Sequence, residues 1–356
     1  MANELFKEGG PHNIRKTGPT QYNMTVSLPT DEDGRTAREC PKEECSPGYF
    51  KVKNGTGITG GQEFAYCPYC RNQAVPNDFF TKEQLRYAKD ILQQEAFKAV
   101  ENRFATALGL DRAGKKKIGG GFLSIEMSLN PSSKPIIRRP FEKEVRRDVI
   151  CPHCGLYHSV YGLATWCADC GQDIFLTHVE AELSVVRAML GDVERRRELL
   201  GSRVAAKDLE NCLEDTVSIF EAVLKVLVKR YQRQAGVAEE EVDGFFKKIG
   251  NAFQSVERTQ EIFLTKVGIL LFPECSSDEI HKLACIFEKR HPITHNLGVI
   301  DKKYIDKSRT TEEEGKEVSV SAIDIEDALI LSMETFSSLH NRMCGKAVNE
   351  HIDSSS

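Results

Sequence analysis

Three side chains able to move a proton or grip an anion crowd into one late stretch, EKRHPITHNLGVID (Glu288–Asp301): Arg290, His291 and His295. Histidine exchanges protons near neutral pH, and a guanidinium holds phosphate through two parallel hydrogen bonds. Together they supply a proton shuttle and a charge clamp, the two parts of metal-free phosphodiester cleavage. Three arrangements compete. His291 and His295, four apart, share a helix face that suits a metal. The zinc-peptidase pattern needs Glu after the first His, where Pro292 stands, and no third ligand is close in sequence. Alternatively, the cations simply close a helix, with Gly298 as its left-handed cap. In the catalytic arrangement Arg290 must meet His295, yet the two lie about 140° apart on an ideal helix. Pro292 lacks an N–H and crowds the carbonyl of Glu288, which predicts the bend that such a meeting needs.

Cysteines form the other chemical constellation. Eight of the 12 fall in close pairs: Cys40/Cys45, Cys67/Cys70, Cys151/Cys154 and Cys167/Cys170. Such pairs read as metal ligands, and two quartets read as two structural zinc ions. "CPHCG" and "CADCG" make the regular ribbon, with Gly155 and Gly171 relieving the tight backbone after each pair. "CPKEEC" with "CPYC" makes the other, across a Gly-rich loop between strands "GYFKV" and "EFAYC". Four thiolates close a site to substrate, so no catalytic metal is expected. His153 and His158 are expected at the surface, outside a ligand set already complete. Cys212, Cys275, Cys285 and Cys344 are scattered, as small buried apolar residues.

The elements around these groups divide the chain. Residues 1–80 read as the first zinc-ribbon module and 81–110 as a connecting helix, with Thr81 and Gln84 spaced as a capping box and Gly109 as its stop. Residues 111–176 read as a basic linker and the second ribbon, with a short hairpin in "HSVYGLATW". From 177 to 350 the texture is helical. Val179, Leu183, Val186, Leu190 and Val193 form one apolar stripe; Leu209, Leu213, Val217, Phe220, Leu224, Leu227 and Tyr231 form another. "DGFFKKIGNAFQSVERTQEIFLTKVGILLF" continues as helix to Pro273. Ser276 and Glu279 cap the helix that enters the Arg–His passage, and a last helix begins near Ser321 with Ile325, Leu329, Met333, Phe336 and Met343. Residues 351–356 are a tail. The organisation is α+β multidomain: two small β-rich zinc-ribbon modules followed by an all-α bundle.

Composition narrows the function classes. Net charge is −5, but Arg112–Arg147 holds ten Lys+Arg against three Asp+Glu. Lys115, Lys116, Lys117, Arg138, Arg139, Arg146 and Arg147 are therefore the candidate RNA-backbone contacts. No base-reading motif is evident and the chain is not strongly basic, which argues against a DNA-binding regulator. The N-terminus lacks an apolar signal core and no run is long enough to span a bilayer, so a cytoplasmic protein without membrane contact is expected.

The Arg290–His295 passage resembles the Arg-x4–6-His signature of HEPN domains, and "THNLGVIDKKYI" resembles the run that often follows it. The likeness covers His178 to about Glu350. A second spacing match, Arg147 to His153, runs into a zinc knuckle and is accidental. The resemblance implies a HEPN-like helical bundle that is a metal-independent endoribonuclease, of prokaryotic toxin or anti-phage defence type, acting as a homodimer with RNA across the interface. It implies 2′-OH attack on the adjacent phosphate, with His295 as acid or base and Arg290 on the phosphate, supported by His291 and Asn296; Thr294 is a further candidate. A partner protein of a defence system is also compatible. The alternative is a non-catalytic zinc-ribbon scaffold that binds nucleic acid or protein, with a dimerising helical domain.

Overall fold

A computed structural model describes residues 5–59, 61–111, 114–119, 125–128, 136–141, 143–145 and 147–345. The chain divides into two compact units. The first comprises residues 1–146, 154–161 and 168–171, the second residues 147–153, 162–167 and 172–356.

The first unit is built from short antiparallel strands. β1 (Arg15–Lys16) pairs with β2 (Tyr22–Asn23), and β3 (Arg35–Glu39) with β4 (Tyr49–Lys53). β5 (Ala65–Tyr66) pairs with β6 (Gln73–Ala74), then helix α1 spans Lys82–Leu108. β7 (Lys115–Ile118) pairs with β8 (Ile125–Ser128). The expected β4 and β5 are both present. Thr81 and Gln84 cap α1 reciprocally, and Gly109 ends it at φ 62°, as their types and spacing predict. Gln84 also donates to the Ala37 carbonyl at 3.0 Å, tying the helix start to β3.

In the second unit β9 (Arg147–Ile150) leads into Cys151. β10 (Tyr157–Val160) belongs to the first unit and pairs with β4. "HSVYGLATW" therefore does not close on itself as a hairpin. His158, expected at the surface, is fully buried because β10 is drawn into the sheet beside β4.

The helical part of the second unit runs α2 (Phe175–Leu200), α3 (Ser202–Gln234), α4 (Glu239–Ile249), α5 (Val256–Ile262), α6 (Ser277–Glu288), α7 (Arg290–Asn296), α8 (Lys302–Ser308) and α9 (Ala322–Cys344). α3 is central, packed by α2 and α9. Its predicted stripe is buried from Leu209 to Leu227, with Tyr231 partly covered. Phe220, fully buried, meets Phe287 of α6 edge-on at 5.1 Å and Phe336 of α9 at 5.5 Å. Burying such a ring contributes about 1.5–3 kcal/mol and each aromatic pair about 0.5–1.5 more. This contact seats the last turn of α6, and with it the Arg–His passage.

One expectation fails here. The stretch from Asp243 to Phe272 is not continuous helix. Gly250 breaks it at φ 53°, a single 3-10 turn covers Ala252–Gln254, and α5 passes into a π-turn at Phe263–Val267. Glycines able to take positive φ end helices that apolar periodicity alone would extend. That break supplies the turn carrying Gln254. No helix among the described residues is long and apolar enough to cross a membrane.

Candidate functional site

Pro292 has no N–H to offer the Glu288 carbonyl, and the helix is interrupted at Lys289, between α6 and α7. Lys289 is pinned by two bonds from Nζ, to the Ser319 carbonyl at 2.8 Å and to Asp324 Oδ2 at 3.0 Å. The next residue, Arg290, points elsewhere: its Nη2 donates to Gln254 Oε1 at 2.7 Å. Gln254 is held in turn, its Nε2 donating to Glu221 Oε2 at 2.7 Å while Lys225 donates to the other oxygen at 2.6 Å. The amide is thus fixed with its carbonyl towards Arg290.

Arg290 opens into a cleft of about 150 Å³, walled also by Asn251, Gln254, Ser255, Arg258, Phe287, Glu288, His291 and Lys307. Three full cations face one carboxylate, Glu288, which Lys307 approaches at 3.4 Å. Arg258 is exposed and makes no hydrogen bond or ion pair with any described residue. Arg290, half-buried, has only a neutral amide as its partner. Partial desolvation without a counter-charge leaves its field directed at whatever enters the cleft.

His291 lines the same cleft; His295 does not. The two rings lie 5.0 Å apart, as the spacing of four on α7 requires. Burial pushes the His291 pKa down, and Lys303 and Lys307 add to that against Asp301, 3.8 Å away. His295 is exposed one turn further on, and among the described residues no bond joins it to Arg290. Thr294 donates to Glu214 Oε1 at 3.2 Å, and Asn296 to the Val299 carbonyl at 3.2 Å. The left-handed cap starts at Leu297, φ 52°, one residue before the expected Gly298, which follows at φ 87°.

The cysteine quartets assemble as the spacing predicts. In each, the four sulfurs lie within 4.8 Å of one another, close enough to hold a metal ion. In the first, Cys40 and Cys70 sulfurs are 3.7 Å apart, as are those of Cys45 and Cys67. Four sulfurs set tetrahedrally at ~2.3 Å from an ion stand roughly 3.8 Å apart, so the donor set fits. Gly155 and Gly171 take φ 76° and 65°, and Arg71 takes the same conformation at φ 60° after Cys70. A Cβ on Gly171 would meet the Tyr66 ring at 2.9 Å. Among the described residues these quartets are the only groups of three or more potential ligands, and His291 and His295 belong to neither. Of the scattered cysteines, Cys212 and Cys344 are buried; Cys275 and Cys285 are half-buried.

The basic stretch is partly self-satisfied. Lys115 lies 3.7 Å from Glu126, and Lys116 donates to the Leu108 carbonyl at 2.8 Å. Lys117, Arg138 and Arg139 are exposed, Arg147 is paired with Glu182, and Arg146 lies outside the described residues.

Gln254, Arg258 and Lys307 had no signal in the sequence; each is remote from Arg290 along the chain and joins it only by folding. Comparison with protein-family models, with curated proteins and with solved structures finds no match for this chain.

Proposed function

We propose that the chain is a metal-independent endoribonuclease of HEPN type. One observation carries the reading: Arg290 and His291 line a cationic cleft in which the Arg290 guanidinium has no counter-charge. A phosphodiester supplies the missing charge. Arg290 holds the phosphate oxygens and stabilises the crowded phosphorus as the ribose 2′-OH attacks. His295, with His291 beside it, takes or returns the proton; a half-buried His291 near Lys303 and Lys307 is favoured in its neutral form, the form able to accept one. Asn296 and Thr294 support the turn. The products are a 2′,3′-cyclic phosphate and a 5′-OH. Two copies pair so that both cleft mouths face one RNA, as in the family the signature resembles, and the role is that of a prokaryotic toxin or defence effector. Zinc fills both cysteine quartets and folds the ribbon modules, which with Lys117, Arg138 and Arg139 engage the RNA backbone or a partner.

The test is incubation of the full chain with mixed RNA, followed by analysis of the ends. Cyclic-phosphate ends that vanish in Arg290→Ala and His295→Ala, both still folded, are expected. Unchanged cleavage in both variants would sink the reading.

A further inference from the structure

The cleft holds more cationic groups than one scissile phosphate needs. Arg258 of α5, which is exposed, and Lys307 of α8 both line it, together with Asn251, Gln254 and Ser255 of the turn before α5. Neither comes from the Arg–His passage. Arg258 has no partner among the described residues, and Lys307 has only Glu288 at 3.4 Å. The turn adds the amide of Asn251 and the hydroxyl of Ser255, neutral groups able to donate to an oxyanion. Gln254 gives its carbonyl to Arg290 and an N–H to Glu221.

We propose that Arg258 and Lys307, with Asn251 and Ser255, form a second phosphoanion site beside Arg290. The ligand class is a phosphate group, either the neighbouring phosphate of a polynucleotide or a free phosphate. A planar fork on Arg258 suits bidentate contact, and Lys307 supplies a second, point charge. The site deepens the ribonuclease reading, because it holds the strand one phosphate from the bond to be cut. It is defined by binding alone, so it can stand or fall separately.

The experiment uses the metal-loaded full chain and a short 2′-O-methyl oligoribonucleotide, which binds but lacks the attacking hydroxyl. Arg258→Ala should weaken binding about tenfold, with Lys307→Ala similar, since each removes one charge-assisted contact. The slope of log affinity against log salt should fall by about 0.7 per variant, the single-strand value for one phosphate contact. Arg195→Ala, an exposed α2 cation paired with Asp192, serves as the control and should change neither. Competition by inorganic phosphate would assign a free-phosphate site; failure to compete would assign the polynucleotide backbone. Unchanged affinity and slope in both variants, or no binding of either probe by the parent chain, overturns the proposal. Binding that depends on Arg258 in a protein that never cleaves unmodified RNA would keep the site and sink the ribonuclease reading.

Discussion

Arg290 donates to Gln254 at 2.7 Å, a charged donor meeting a neutral acceptor whose own orientation is set by Glu221. The guanidinium is therefore positioned without being neutralised. A carboxylate in place of Gln254 would remove that free charge, but it would lack the N–H that Glu221 holds.

That difference is measurable. Gln254→Glu should lower RNA cleavage at least tenfold, because the new carboxylate competes with phosphate for Arg290, and should also cost stability, because it loses the bond to Glu221 and sets two carboxylates together. Gln254→Ala should cost about 1 kcal/mol of stability through lost hydrogen bonds and give an intermediate rate. Cleavage equal to the parent in Gln254→Glu would show that Arg290 needs no free charge.

His178 gives the second unit an acid-sensitive point. It is fully buried, its Nδ1 accepting from the Ala164 N–H at 2.7 Å, and burial pushes its pKa down to about 4 from 6.5. The unfolded chain therefore takes up this proton first as pH drops. Its contribution is fully present above about pH 6.5 and is lost as pH falls towards 4, by roughly 3 kcal/mol when complete. Denaturant midpoints measured across that window should fall, and His178→Gln should flatten the fall.

Asp173 joins Arg230 at 2.7 Å and His340 at 3.1 Å, with the Arg230 guanidinium 4.7 Å over the Trp166 ring. Desolvation raises the Asp173 pKa, but the His340 bond and the Arg230 charge outweigh it and bring the carboxyl to about 2. A lowered carboxyl pKa stabilises above the unfolded value of 3.8 and loses that contribution as pH drops through 2. Asp173→Asn leaves Arg230, itself largely buried, without its counter-charge and should cost about 3 kcal/mol in chemical denaturation. A loss under 1 kcal/mol would mean that Trp166 and solvent hold Arg230 unaided.

Metal analysis tests the quartets directly. Each chain should carry two ions, with Cys67→Ser losing one and Cys167→Ser the other. Cleavage should persist in chelators too weak to compete with four thiolates. A rate that rises with added divalent metal at constant metal content would contradict a metal-independent site.

The capping boxes at Thr81 and Ser276, the glycine stop at 109, the cysteine knuckles and the apolar stripes of α2, α3 and α9 were legible in the sequence. Each is a relation among residues within a few positions, where backbone geometry alone decides which groups meet. Pro292 marked the break near Lys289 for the same reason: one missing N–H has a local consequence. The reading of continuous helix through Gly250 failed because periodicity records which side chains are apolar, not which glycine leaves the helical region.

What the sequence determined, then, was the ligand sets and the local elements, including where the Arg–His passage is broken. Only the tertiary structure decided which imidazole shares a cleft with Arg290. It is His291 that lines the cleft, with His295 one turn beyond, since the packing of α7 against α3 and α6 fixes which of its faces opens there. It also decided that Gln254, Arg258 and Lys307 stand around that guanidinium. Their meeting depends on Phe287 seating against Phe220 and on the turn after Gly250, long-range contacts that no spacing along the chain encodes.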